Sequence, residues 1–109
     1  MDRVEEHETF LCKVVHTKRK PAATKLIKEA KVGELDSICE VLLNILQGTV
    51  PLPEFFVKKA KKYKTVLRKL VKRCLKKLLR KKMLIKYFNI IRELLSVALP
   101  ICGIIGALL

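Results

Sequence analysis

Between Lys58 and Lys86 the chain carries fifteen basic residues and not one acid: Lys58, Lys59, Lys61, Lys62, Lys64, Arg68, Lys69, Lys72, Arg73, Lys76, Lys77, Arg80, Lys81, Lys82 and Lys86. Fixed cations at this density neutralise the phosphates of DNA or RNA and release condensed counterions, and the same Coulombic attraction acts on anionic lipid headgroups. The solvated face of an ordinary amphipathic helix mixes signs, so this much uncompensated repulsion points to a polyanionic partner. Sequence-specific base reading is disfavoured, because no Asn or Gln stands in the stretch and only Arg68, Arg73 and Arg80 offer bidentate forks. Tyr63 and Tyr87 can stack on exposed bases, but at helical spacing among apolar neighbours they read as core residues. A helix, a short turn and a basic helix is also the outline of a helix-turn-helix reader.

Other chemistry has little to stand on. His7 and His16 flank Cys12 at a spacing that could hold a metal through three ligands, but no fourth ligand is near and chance placement is the simpler account. Glu5, Glu6 and Glu8 are too local to form a tuned acid/base pair. No enzyme and no cofactor are expected. Cys12, Cys39, Cys74 and Cys102 form no Cys-x-x-Cys pair, and the acidic, polar start from Asp2 to Glu8 is unlike a secretory signal. The thiols are therefore expected to be reduced and to serve packing.

The sixteen residues from Leu94 to Leu109 carry no charge. At about 1.5 Å per residue a helix of that length falls short of the roughly 30 Å hydrocarbon core, and Pro100, Gly103 and Gly106 interrupt it. Interfacial or disruptive insertion into lipid, through Leu94, Leu95, Val97, Leu99, Ile101, Ile104, Ile105, Leu108 and Leu109, is one reading. A packed C-terminal core element and a tail anchor are the others.

The elements that must position these groups are helical. Net charge is +14 over 109 residues, and nearly all of it lies after residue 54, so a neutral head is followed by a binding half. Self-repulsion there opposes compaction, and a bound polyanion should stabilise the fold by linkage. Residues 1–23 read as a loosely ordered arm with room for one short helix; its Lys18-Arg19-Lys20 cluster reads as solvated surface, with nuclear import as the alternative. Leu26, Ile27 and Ala30, then Leu35, Ile38, Cys39, Leu42, Leu43 and Leu46, recur at helical steps, and Gly33 is expected to divide them. Asp36 or Ser37 can cap the second piece, and Gly48 suits a left-handed helix end. Pro51 and Pro53 make a hinge, after which Pro53 and Glu54 suit a first helical turn. Apolar pairs at Val66/Leu67, Leu70/Val71, Cys74/Leu75 and Leu78/Leu79 slip against the 3.6-residue turn, so the basic helix should break or wrap a partner. Leu84, Phe88, Ile91, Leu95 and Ala98 resume on a new register. The expectation is an all-α chain of three or four helices, a small bundle or helical hairpin: a helical domain over 24–93 with its basic half at 58–86, followed by an apolar tail over 94–109.

Leu43-Asn44-Ile45-Leu46-Gln47-Gly48-Thr49-Val50-Pro51-Leu52, the lysine-rich run from Lys58 to Lys64, Leu67-Arg68-Lys69-Leu70, a second lysine cluster and an Ala-Leu-Pro end form a further pattern. Over about residues 35–109 it resembles the small basic proteins encoded by adintoviruses and related Polinton-like elements. Those proteins show an Asn-[Ile/Val/Leu]-Leu-x-Gly-x-[Val/Ile]-Pro-Leu turn, two basic blocks and a Gly-rich apolar tail. In character they are similar to the DNA-condensing core peptide mu and the membrane-lytic internal protein of adenoviruses. The resemblance implies a virion component, present in the host nucleus during assembly, that packs genomic DNA, helps breach a membrane, or both, alongside capsid or other virion proteins. Where the family often has Gly-Gly before the tail, this chain has Lys86-Tyr87-Phe88-Asn89. The runner-up is a tail-anchored or peripheral protein of an intracellular membrane, whose basic block binds anionic lipid.

Overall fold

Seven helices account for the regular structure of residues 6–72 and 75–101, the residues described by the computed structural model. They are α1 (Glu8–His16), α2 (Lys20–Lys28), α3 (Val32–Leu46), α4 (Glu54–Lys62), α5 (Lys64–Leu70), α6 (Lys77–Lys86) and α7 (Phe88–Ile101). There is no strand among the described residues. The all-α expectation holds, with more and shorter helices than the periodicity suggested. A radius of gyration of 12.5 Å is what a chain of this length reaches when fully collapsed, which favours a bundle over a hairpin.

The most apolar helices, α3 and α7, pack against each other at the centre. From α3 come Leu35, Ile38, Val41 and Leu42, and from α7 Ile91, Leu94, Leu95, Ala98 and Leu99, all essentially inaccessible. Each such Leu or Ile contributes roughly 1.5–3 kcal/mol through removal from water. The lipid-facing expectation for Leu94, Leu95 and Leu99 is thus corrected: they are core, because α1, α3 and α7 close over one another and leave no free apolar stripe. Val97 is half-buried, Ile101 ends α7, and Ile104, Ile105, Leu108 and Leu109 lie outside the described residues.

The arm is also corrected over its described part. Phe10, Leu11, Val14 and Val15 line one side of α1 at helical spacing and are buried against α3 and α7, so tertiary burial holds a segment whose local signal is weak.

Several boundaries move for physical reasons. The division expected at Gly33 falls at residues 29–31, and Gly33 lies inside α3. A Cβ there would come within 2.9 Å of the His7 imidazole, so the glycine permits that close approach. The start of α3 is capped by Glu34, whose carboxylate accepts the Lys31 N–H at 2.8 Å. Ser37 is fully buried and donates to the Glu34 carbonyl at 2.6 Å instead of capping. Gly48 does take the left-handed conformation, at φ +74°. Pro53 is the N-cap of α4 and Glu54 opens its first turn. The basic stretch breaks twice, at Tyr63 and after Leu70.

Candidate nucleic-acid interface

Ala60 of α4, Leu67 and Leu70 of α5, and Leu84 of α6 are the buried anchors of the basic half. With those positions turned inward, the 3.6-residue period sends the bases between them outward. Lys58, Lys61, Lys62, Lys64, Arg68, Lys69, Lys72, Lys76, Lys77, Lys82 and Lys86 are exposed, and Lys59 and Lys81 are half-buried. Arg73 lies outside the described residues.

Four of the fifteen pair with or donate to oxygens of the protein itself. Lys58 is 3.9 Å from Glu54 in an open i,i+4 pair that water largely screens. Lys59 bonds Glu93 of α7 at 2.5 Å and lies over the Phe55 ring, tying α4 to the core helix. Lys81 donates to the Lys28 carbonyl. Arg80 is corrected from surface ligand to buried staple: at 9% exposure it pairs with Asp36 at 3.2 Å and donates to the Lys72 carbonyl at 2.7 Å. One guanidinium thus ties α6 both to Asp36 of α3 and to the Lys72 carbonyl. The reason is register: the break after Leu70 resets α6 so that Arg80 and Leu84, one turn apart, face the core. Leu78 and Leu79, expected on the inner stripe, are left outside at 76% and 42% exposure.

Ten bases remain exposed with no carboxylate partner among the described residues: Lys61, Lys62, Lys64, Arg68, Lys69, Lys72, Lys76, Lys77, Lys82 and Lys86. The two basic blocks meet through tyrosines. Tyr63 at the α4–α5 junction and Tyr87 at the α6–α7 junction are half-buried, with ring centroids 6.4 Å apart, edge to face. The Lys62 ammonium lies 5.7 Å from the Tyr63 centroid and that of Lys86 5.4 Å from the Tyr87 centroid. Both rings are therefore occupied as packing surfaces, and bases distant in sequence are drawn to one locality.

The packing of α2 against α6 adds a contribution that the sequence alone did not show. The exposed Lys25 and Lys28 of α2 stand beside α6, where Lys81 reaches the Lys28 carbonyl. Their spacing on the outer face of an amphipathic helix was legible, but the neighbouring helix was not.

Near the staple, Cys39 is buried and its thiol is 3.7 Å from the Leu70 carbonyl. Burial pushes its pKa up to about 11, against the opposing pull of Arg80 and with a smaller push from Asp36. Burial, with Glu8 adding to it, also raises that of Cys12. Cys74 and Cys102 lie outside the described residues. His16 Nδ1 is 2.7 Å from the Cys12 carbonyl, His7 lies against Gly33, and no three metal-ligating groups converge among the described residues. No helix among the described residues is long and apolar enough to cross a membrane.

Comparison with protein families, curated proteins and solved structures finds no match to this chain.

Proposed function

We propose that this chain binds DNA through its phosphates, with little regard to sequence, as a minor structural protein that condenses the genome in a virion. The observation that carries the reading is the set of ten exposed Lys and Arg on α4–α6 and their connections, with no carboxylate partner among the described residues. Inward-facing tyrosines and the absence of Asn or Gln in the stretch favour charge over base recognition. The virion role rests on the likeness of residues 35–109 to the adintovirus proteins. Because Leu67, Leu70 and Leu84 belong to the common core, the test uses the full chain. If roughly eight phosphates are neutralised, log K falls against log salt with a slope near −7, alike for scrambled duplexes. A slope shallower than about −2, or strong preference for one sequence, would overturn the reading.

A second reading, contact with an anionic bilayer, is favoured by one observation. Leu78 and Leu79 project into solvent from a turn flanked by Lys76, Lys77 and Lys82. Lysines near such a surface each add about 1 kcal/mol of attraction, and two exposed leucines can enter the headgroup region. Sedimentation with anionic and neutral vesicles tests it. Binding to anionic vesicles lost in a Leu78→Asp, Leu79→Asp variant supports it, and binding unchanged by that variant removes it.

A further inference from the structure

Where the chain leaves α3, turns at Gly48 and enters α4, the side chains do not close on one another. A half-open groove of about 360 Å³ remains. Its walls are apolar, with Ile45, Val50, Leu52, Val57 and Ala60 among them, and Lys61 and Lys64 complete the lining. Gly48 leaves its side open: no atom lies within 4 Å of the position a Cβ would take. The volume is in the range of small-molecule pockets, roughly 300–1,000 Å³.

We infer that this groove binds a single-chain anionic amphiphile of the medium-chain fatty acid class, with its acyl chain against the apolar walls and its carboxylate between Lys61 and Lys64. Ile45, Val50 and Ala60 are largely buried already and Leu52 and Val57 are half-buried, so an acyl chain laid in the groove covers the apolar surface that they leave open to water. Both lysines are exposed and neither has a carboxylate partner among the described residues, so two cations stand at the polar edge of an otherwise apolar hollow. An uncharged hydrocarbon would leave those cations unused. A nucleobase would lack an aromatic wall to stack on, since the lining holds no aromatic side chain. Charge complementarity therefore selects the anionic amphiphile. The inference does not rest on DNA binding, although it shares two lysines with that surface.

The experiment is calorimetric titration of the full chain with laurate below its micellar concentration, with methyl NMR to locate the site and dodecanol and acetate as controls. Saturable one-to-one binding is expected, with shifts at Ile45, Val50 and Val57, no response to acetate, and dodecanol weaker by about tenfold. Val57→Phe, which fills the hollow, should weaken laurate by at least about tenfold while leaving DNA affinity and its salt slope unchanged. The exposed double change Lys61→Gln, Lys64→Gln should weaken laurate to a similar degree without loss of helix content, which keeps the test valid should Val57→Phe fail to fold. Non-saturable binding, shifts elsewhere, or laurate affinity indifferent to the lysine variant would overturn the inference.

Discussion

Replacing Arg80 by Met separates the arginine that holds the fold from the lysines that face the partner. The guanidinium is 9% exposed and makes two bonds, to Asp36 at 3.2 Å and to the Lys72 carbonyl at 2.7 Å. Removing one partner of a buried ion pair costs about 3–5 kcal/mol. Here the Asp36 side chain keeps 24% exposure and a further interaction besides Arg80, so part of that cost is relieved and a loss of about 2–3 kcal/mol is expected. At roughly 4–8 °C per kcal/mol for a domain near this size, Tm should fall by about 10–20 °C. Arg80→Lys should recover little, since one ammonium cannot span the carboxylate and the carbonyl with the geometry of a planar fork. Thermal melts followed by circular dichroism give the stability, and salt titrations with duplex DNA, at a temperature where both proteins are folded, give the slope. The slope should be that of the unsubstituted chain. By contrast, Lys76→Gln with Lys77→Gln should flatten it by about 2 with Tm nearly unchanged. If Arg80→Met melts with the parent and flattens the slope as a surface lysine does, Arg80 is a phosphate ligand and the staple is wrong.

Further tests follow from the same packing. Leu94→Ala should lose about 2–5 kcal/mol in denaturant melts whereas Leu78→Ala should change stability by less than about 0.5 kcal/mol; equal effects would contradict the inward placement of α7. A truncation that begins at Leu94 should unfold the chain by circular dichroism, so vesicle leakage caused by the C terminus is properly tested by cuts after Ile101. Cys39 is pushed from an ordinary 9.0 to about 11, so between those values the folded thiol keeps a proton that the unfolded chain has released. Its contribution to stability is complete below pH 9 and declines as pH rises through about 11; Cys39→Ala should remove that part of the decline in denaturant midpoints. Charge reversal at Lys58, Lys61 and Lys62 should weaken all duplexes alike in filter binding, and a sequence-dependent loss would indicate base contacts.

Local chemistry determined much of this protein. Helical periodicity set the class, Gly48 ended α3, the prolines at 51 and 53 separated it from α4, and the acid-free run from Lys58 to Lys86 made most of its bases solvent-facing, because charges without partners stay in water. What periodicity shows is which residues share a face; which face turns inward depends on the element that covers it. Leu78 and Leu79 are as apolar as Leu94 and Leu95, yet the first pair lies outside because the break after Leu70 turns Arg80 towards Asp36, and the second lies inside because α1 and α3 close over α7. The same dependence raised Phe10 to Val15 from a weak local pattern to a packed helix, brought Lys28 beside Lys81, and left a hollow beside Gly48. The first two pair residues far apart in sequence and the hollow is shaped by how α4 folds back on the end of α3, so only the folded chain brings these partners within reach.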